Sequence, residues 1–469
     1  MLEVALLVKP VPALDRLPPY TVGRPPFETD LILDFNESLE PLPITGAVPE
    51  SPTAHLYPWT AQLENQLAER LGVDSDRVIV TCGADDALER SVRSVCHPGS
   101  RVVLIQPTYG MVKRYAIISG AEIVTVPWWQ GSFPVDEVCD AAGNDAALLF
   151  LVSPNNPTGS VVTRDELDSV ATRLPRTLVL HDQAYREFSD PEYDLTETAL
   201  THPNVVLVRT FSKAWGGAGL RAGYAVGDAR VIDWLRRIGQ PFPVSRPTLE
   251  ILEAKVTRNA EPSRERVDRI RAQRDRLTEI LTRLGAEPLP SQASFVAARF
   301  ADAPWVRIAM ASLGIAIRGF PSRSAVGDWL RTTLPGDDTA FERLVACFHT
   351  VLKPETLIVD LGGESPQVTR LPAQPDRIRE LAASSATRSA ESASPNPALL
   401  QSTLEHLGKR PAWLVGSTPE AIRAARAAGV LPLAMVAPGD DPSIARPALE
   451  KAGAARILDS LEDIVELLR

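Results

Sequence analysis

The sequence predicts an α/β protein: a large, mainly parallel sheet with helices on both faces, followed by further α/β units. Three observations carry this. Between residues 54 and 245, short apolar runs alternate with stretches of helical spacing. The polar residues best suited to chemistry fall where those runs end. The chain has 469 residues, too long for one ordinary domain and enough for about three.

The elements follow in order. Leu63–Leu71 has helical spacing and stops at Gly72. Arg77–Val80 reads as a short strand, and Ala84–Val95 as a helix closed by His97-Pro98-Gly99. Arg101–Ile105, Ala121–Val126, Ala146–Val152, Leu178–His181 and Val205–Thr210 read as buried strands. Residues 246–353 read as a second unit, with a long charged helix at Arg264–Leu284 and short strands at Ser294–Arg299 and Ile315–Arg318. Residues 1–53 are expected to supply an N-terminal arm and to complete that smaller α+β unit, leaving 54–245 as the large domain. Residues 354–469 predict a small Rossmann-like sheet: strands at Leu357–Asp360, Ala412–Val415 and Leu433–Val436, and helices at Thr418–Ala428 and Leu461–Leu468. Asp459 or Ser460 is expected to cap the last helix. An Ala/Ser-rich stretch within about 365–397 reads as a linker.

Bulk properties exclude several function classes. A net charge of −10 disfavours a general polyanion-binding surface, so no nucleic-acid partner is expected. No apolar run is long enough to span a membrane, and Met1–Pro10 lacks the basic start and cleavage pattern of a signal peptide. Cys82, Cys96, Cys139 and Cys347 are scattered, as expected for free thiols in a reducing cytoplasm. The histidines do not cluster, so no metal site is expected.

The chemistry centres on Lys213, in Arg209-Thr210-Phe211-Ser212-Lys213-Ala214-Trp215-Gly216. Upstream stand Tyr57-Pro58, Ser153-Pro154-Asn155-Asn156-Pro157-Thr158-Gly159 and Asp182-Gln183-Ala184-Tyr185. A lysine with these partners, in this order, reads as the anchor of pyridoxal 5'-phosphate (PLP), which requires an imine-forming amine and an acid facing the pyridine nitrogen. Asp182 is the expected acid, because an ionised carboxylate favours the protonated ring. Asn156 and Tyr185 are expected to donate to the ring's phenolic oxygen. Lys213, once free, can carry a proton between the substrate's α-carbon and the cofactor. Gly83-Ala84-Asp85 opens a helix after a strand and suits the phosphate. Thr210, Ser212 and Arg221 would add hydroxyls and a charged fork, and Tyr109 could stack on the ring. Taken singly, each of these segments is an ordinary turn, cap or surface charge; their joint order carries the reading. Gly217-Ala218-Gly219 looks like the start of a dinucleotide loop, but it follows the lysine rather than a strand, so tight packing near the cofactor explains it better.

With these motifs on the page, Val11 to about Leu352 resembles the fold-type I PLP enzymes of the class I/II aminotransferases, and within them the histidinol-phosphate aminotransferases. Val11-Pro12-Ala13-Leu14, Leu17-Pro18-Pro19-Tyr20 and Leu33-Asp34-Phe35-Asn36-Glu37 add to the resemblance. It implies that Lys213 anchors the cofactor, that Asp182 pairs with the ring nitrogen, and that Asn156 and Tyr185 hold the phenolic oxygen. It also implies a homodimer in which Tyr57 reaches the partner's cofactor phosphate. Tyr20, Asn36, Arg318 in Gly314-Ile315-Ala316-Ile317-Arg318 and Arg331 in Trp329-Leu330-Arg331 would meet a substrate with an anionic group. Three segments depart from the family pattern: Asn36-Glu37-Ser38-Leu39 replaces Asn-Glu-Asn-Pro, Gln183 replaces a Glu, and Pro241-Phe242-Pro243-Val244 replaces Pro-Tyr-Asn-Val. The resemblance therefore implies the cofactor chemistry and not the identity of the substrate.

Residues 355–469 resemble a haloacid-dehalogenase (HAD) fold with its acids lost. Asp360 stands at the nucleophile position, but Gly362 replaces the acid/base Asp, Ser417 and Ala421 replace the magnesium-loop acids, and Ser394 stands at the lysine position. Magnesium needs such oxygen ligands, so a pseudo-phosphatase is expected. For the whole chain, an aminotransferase taking a small amino donor and a keto acceptor is the first expectation. A PLP lyase such as a phosphothreonine decarboxylase and a non-catalytic binding protein are the alternatives.

Overall fold

The computed structural model describes residues 27–40, 55–257, 262–321, 326–361, 367–371, 410–437 and 439–468, with positions 13, 17, 324, 402, 403, 405 and 406. Tyr20, most of the Val11–Tyr20 motif, Gly362, Ser394 and the Ala/Ser-rich stretch lie outside the described residues. The chain divides into two compact units. The first is built chiefly from Asn36–Arg274 with Leu289–Ala297, and the second from Asp275–Pro288 and Ala298–Arg469 with Gly23–Phe35.

The first unit holds a seven-stranded sheet in the order Val78–Thr81, Gly223–Val226, Val205–Thr210, Leu178–Asp182, Ala146–Val152, Arg101–Gln106, Glu122–Pro127. Gly223–Val226 runs antiparallel to both neighbours, and the other adjacent pairs are parallel. The inner strands are mainly apolar because both of their faces are covered, whereas the edge strand Glu122–Pro127 is largely exposed. Val102, Leu104, Leu148, Phe150, Leu180 and Val206 pack in one core layer, while Val103, Ile105, Leu149, Leu151, Val179 and Leu207 pack in the other. The six strands expected from sequence are present within about one residue of their expected limits. Gly223–Val226 had not been expected. Its four residues are too few for a periodicity signal, and it follows a glycine-rich stretch that reads as a turn. That stretch is a short 3₁₀ turn, Ala218–Leu220.

Helix signals were well resolved. The Ala61–Leu71 helix ends on left-handed Gly72, whose N–H returns to Ala68 and Glu69 carbonyls. The Gly83–Val95 helix starts two residues after its strand.

The second unit carries two sheets. One runs in the order Leu31–Leu33, Ile315–Gly319, Trp329–Thr333, Phe295–Arg299, Glu287–Pro288. Leu31–Leu33 pairs in parallel with Ile315–Ile317 and adds an edge strand to this sheet. The other runs Gln367–Arg370, Thr356–Asp360, Ala412–Gly416, Leu431–Met435, Arg456–Leu458, parallel except for its first strand. Gln367–Arg370 falls within the stretch read as linker: alternating residues with no apolar face left no strand signal there. Thr418 caps the Pro419–Ala427 helix through Ala421 N–H. The last helix, Asp463–Leu467, begins after Glu462, not at Asp459 or Ser460. The roles are reversed there: Asp463 accepts from the Asp459 and Ser460 N–H groups.

Among the described residues no helix is long and apolar enough to cross a membrane. The four cysteines are free.

Trp413 joins the last sheet to the helices Ala303–Ser312 and Asp338–Leu352. Its ring is fully buried, packs edge-on against Trp305 at 6.0 Å, and donates its indole N–H to the Thr350 carbonyl at 2.6 Å. Truncation at so filled a site leaves a large cavity and an unpaired carbonyl. Trp413→Ala is therefore expected to destabilise the second unit by about 3–5 kcal/mol, read by denaturant unfolding; a loss below 1 kcal/mol would contradict this packing.

Candidate active site

The site lies along the carboxyl edge of the large sheet, where open α/β sheets hold their ligands. Asp182 ends its strand, Thr210 ends the next, and Ser212 and Lys213 follow two and three residues on. Asn155 and Asn156 follow the Ala146–Val152 strand, Tyr109 follows Arg101–Gln106, and Gly83 follows Val78–Thr81.

Tyr185 is the hub of one cluster. Its hydroxyl accepts from Asn36 Nδ2 at 2.9 Å and from Asn156 Nδ2 at 3.4 Å. The Tyr185 ring is buried and set edge-on against Phe295 at 5.1 Å, which fixes its plane. Lys213 Nζ stands 5.9 Å from the centre of that ring. Lys213, Tyr185, Asn156 and Asn36 therefore share one locality.

Asp182 is the acidic member. It is 4% exposed, and its Oδ1 accepts from the Ala184 N–H at 2.9 Å. Burial pushes its carboxyl up to about 7, against the opposing pull of the Ala184 N–H, with Asp85 adding repulsion and Lys213 attraction. A positively charged group facing it would reverse that burden.

A second cluster forms at the start of the Gly83–Val95 helix. The first N–H groups of a helix, here those of Gly83, Ala84 and Asp85, have no intrahelical acceptor, and Cys82 offers no side-chain cap. Arg221 lies over this turn: a Cβ on Gly83 would stand 2.8 Å from Arg221 Nη2. Arg221 itself adopts a left-handed φ of 50°, a conformation uncommon for a side-chain-bearing residue. Its Nη2 is 3.7 Å from Asp85 Oδ2, and Tyr109 donates its hydroxyl to Asp85 Oδ1 at 2.8 Å. Thr210 and Ser212 are buried, with Ser212 N–H donating to Thr210 Oγ1 at 3.0 Å.

The remaining expected residues have the following surroundings. Tyr57 is 73% exposed, stacked on Phe242 at 4.5 Å, with Trp59 edge-on to the same ring at 5.0 Å. Arg318 and Arg331 belong to the second unit, on adjacent antiparallel strands where they are direct register partners. Arg331 Nη2 donates to the Asp34 carbonyl at 2.6 Å.

Three contributors were not anticipated. Gly223 is one: a Cβ there would stand within 2.7 Å of Ala84 N and Gly83 C, so only glycine lets the antiparallel strand approach the helix start. Glu64 is another. It is buried and accepts from Val80 N–H, Thr60 and Arg236. The third is the pair Gln183–Arg209, in which Arg209 Nε and Nη2 both donate to Gln183 Oε1, at 3.1 and 2.9 Å. Local sequence carried a signal only for Gln183, as a departure from the family pattern.

Residues 36–348 match the family model described as aminotransferase class I and II. Histidinol-phosphate aminotransferase of Maricaulis maris is 31% identical over 369 residues, 74% of this chain and 100% of that protein. Aromatic amino acid aminotransferase of Corynebacterium jeikeium is 37% identical over 298 residues, 61% of this chain and 80% of that protein. Among solved structures, histidinol-phosphate aminotransferase from Sinorhizobium meliloti in complex with pyridoxal-5'-phosphate matches with a TM-score of 0.65 at 26% identity. The match covers 73% of this chain and 97% of that one.

The burial of Asp182 has a measurable consequence in protein free of bound ligands. Its folded pKa lies above the unfolded value, so the fold holds an extra proton between pH about 4 and 7. Stability therefore falls as pH rises through that window, by up to about 4 kcal/mol. Asp182→Asn is expected to flatten this slope and to leave ligand-free protein more stable than wild type at pH 8. Thermal unfolding from pH 5 to 8 measures it, and parallel pH profiles for the two proteins would contradict the assignment.

Proposed function

The chain belongs to the class I and II aminotransferases, PLP-dependent enzymes of fold type I, and from that premise we propose how its residues divide the work and which substrates it takes. It is a PLP-dependent aminotransferase similar to histidinol-phosphate aminotransferases. Its donor is proposed to be a small amine or amino acid bearing a phosphate or carboxylate, and its acceptor a keto acid.

The observation that carries the residue assignment is the convergence of Lys213, buried Asp182 and the Asn156–Tyr185 pair on one edge of one sheet. When bound, PLP supplies an aldehyde that condenses with amines and a ring that withdraws electrons. Lys213 is proposed to anchor it and, when free, to move a proton to and from the substrate's α-carbon. Asp182 holds the proton at the ring nitrogen; the carboxyl driven up by burial is relieved by a cation there. Asn156 and Tyr185 donate to the phenolic oxygen. Gly83, Ala84, Asp85, Thr210, Ser212 and Arg221 hold the phosphate end, where the Arg221 guanidinium packs over the helix start in the room that Gly83 leaves for it. Tyr109 lines the ring.

On the substrate side, Arg318 and Arg331 are proposed to receive the anionic group, with Asn36 and Tyr20 lining the pocket. Their pairing in register gives two guanidinium groups at one level of a sheet. The relatives named above act on histidinol phosphate and on aromatic amino acids, and both carry an anion, which supports this class. We also propose a homodimer in which Tyr57 crosses to the partner's cofactor phosphate. Exposed Tyr57 and Trp59, packed on half-buried Phe242, support an interface there. A reducing cytoplasm suits the four free cysteines.

The tail is proposed to be an inactive HAD-like module. Its parallel strands and the position of Asp360 at the end of the first of them support the resemblance. Ser417, whose N–H donates to the Asp360 carbonyl, and Ala421 stand where metal-binding acids would be needed.

A substrate screen read by formation of pyridoxamine phosphate tests the main reading. Histidinol phosphate, phosphothreonine and aromatic and acidic amino acids are the candidates. At least one anionic donor should convert the cofactor stoichiometrically, and Lys213→Ala should lose both the visible band and turnover. Release of CO₂ without pyridoxamine would point to a lyase instead. In the same preparation, p-nitrophenyl phosphate with magnesium should not be hydrolysed, and turnover there would refute the inactive tail.

A further inference from the structure

The long helix Arg264–Arg283 reads from sequence as charged and amphipathic, a pattern that normally means a solvated face. Its first half behaves differently. Arg266 is 6% exposed. Its Nη1 donates to the Ala214 carbonyl at 2.7 Å and its Nη2 to the Lys213 carbonyl at 3.4 Å. We propose that Arg266 is a positioning residue for Lys213, clamping the two carbonyls on either side of the Lys213–Ala214 junction so that the amine stays aimed along the sheet edge. The proposal rests on the reading of Lys213 as the cofactor anchor.

Burying a guanidinium is costly, and burial pulls the Arg266 pKa down while Glu40 opposes that shift. Apolar side chains would fill this volume with less desolvation. What they cannot do is hold two carbonyl oxygens at a fixed spacing, which a rigid planar fork does. The loop it grips is a tight one: Gly216 N–H donates to the same Lys213 carbonyl at 3.0 Å, and Gly217 N–H to the Phe211 carbonyl at 2.9 Å. Without Arg266, the Ala214 carbonyl would lose a charged donor in a buried setting. The same half-helix grips the loop that follows Tyr185. Arg271 Nε and Arg274 Nη1 each donate to the Phe188 carbonyl at 3.1 Å, and Arg269 pairs with Glu40 at 3.2 Å. One rigid element therefore holds the Lys213 loop and the Tyr185 loop in fixed relation.

The test uses full-length protein loaded with PLP. Arg266→Met should release PLP about ten-fold faster or more, from the loss of a charge-assisted bond, and should weaken the visible circular dichroism of the bound cofactor. Arg266→Lys, which can still reach one carbonyl, should recover part of both. The control is Arg276→Met, which removes a half-exposed arginine paired with Glu342 on the same helix, and which should move neither. Wild-type release and dichroism in Arg266→Met would overturn the proposal. So would equal changes in Arg276→Met, or a lysine variant no better than methionine. Should Arg266→Met fail to fold, Arg266→Lys decides alone: intermediate release supports the clamp and wild-type release refutes it. A wild-type protein that gains no visible band with PLP would instead sink the reading of Lys213 itself.

Discussion

Burial of one carboxylate sets the terms for the rest of the first unit. Asp182 sits at the end of a central strand, flanked by parallel neighbours, where water does not reach it. A single backbone N–H from Ala184 does not repay the desolvation, and its pKa rises to about 7. Such an arrangement is poor for stability and would be relieved by a positively charged partner. The fold tolerates it because the strands on either side are bound into the two core layers.

Around that carboxylate, rigidity is built from outside the reacting groups. Phe295 fixes the plane of Tyr185, Gly223 lets the antiparallel strand press against the helix start, and Glu64 secures the edge strand that leads into Gly83. The arginines at 266, 271 and 274 all donate to backbone carbonyls, Arg271 pairing with Asp268 as well. Much of their hydrogen bonding goes to the backbone of the Lys213 and Tyr185 loops. Charge on this helix is thus structural in a sense that composition does not convey.

The second unit shows another economy. Trp413 and Arg426 fasten the last sheet to helices that precede it: Arg426 Nε donates to the Ser312 carbonyl at 2.7 Å and its Nη2 to the Glu28 carbonyl at 3.0 Å. The last sheet thus braces the elements packed against it, whatever chemistry its residues carry.

Much of this was legible in the residues. Six strands of the large sheet, its parallel character and the position of Lys213, Asp182, Asn156 and Tyr185 at strand ends followed from apolar runs and their punctuation, because a sheet buried on both faces writes itself as continuous hydrophobic segments. The short antiparallel Gly223–Val226 strand and the clamp at Arg266 did not follow. Four residues carry no period, and an arginine's partners 50 residues away leave no mark on its own neighbourhood. What the sequence determined by itself was which groups are available and on which edge they fall. What tertiary structure decided was their electrostatic state and their mutual aim, since desolvation of Asp182 and the grip on the Lys213 loop depend on atoms brought together only by folding.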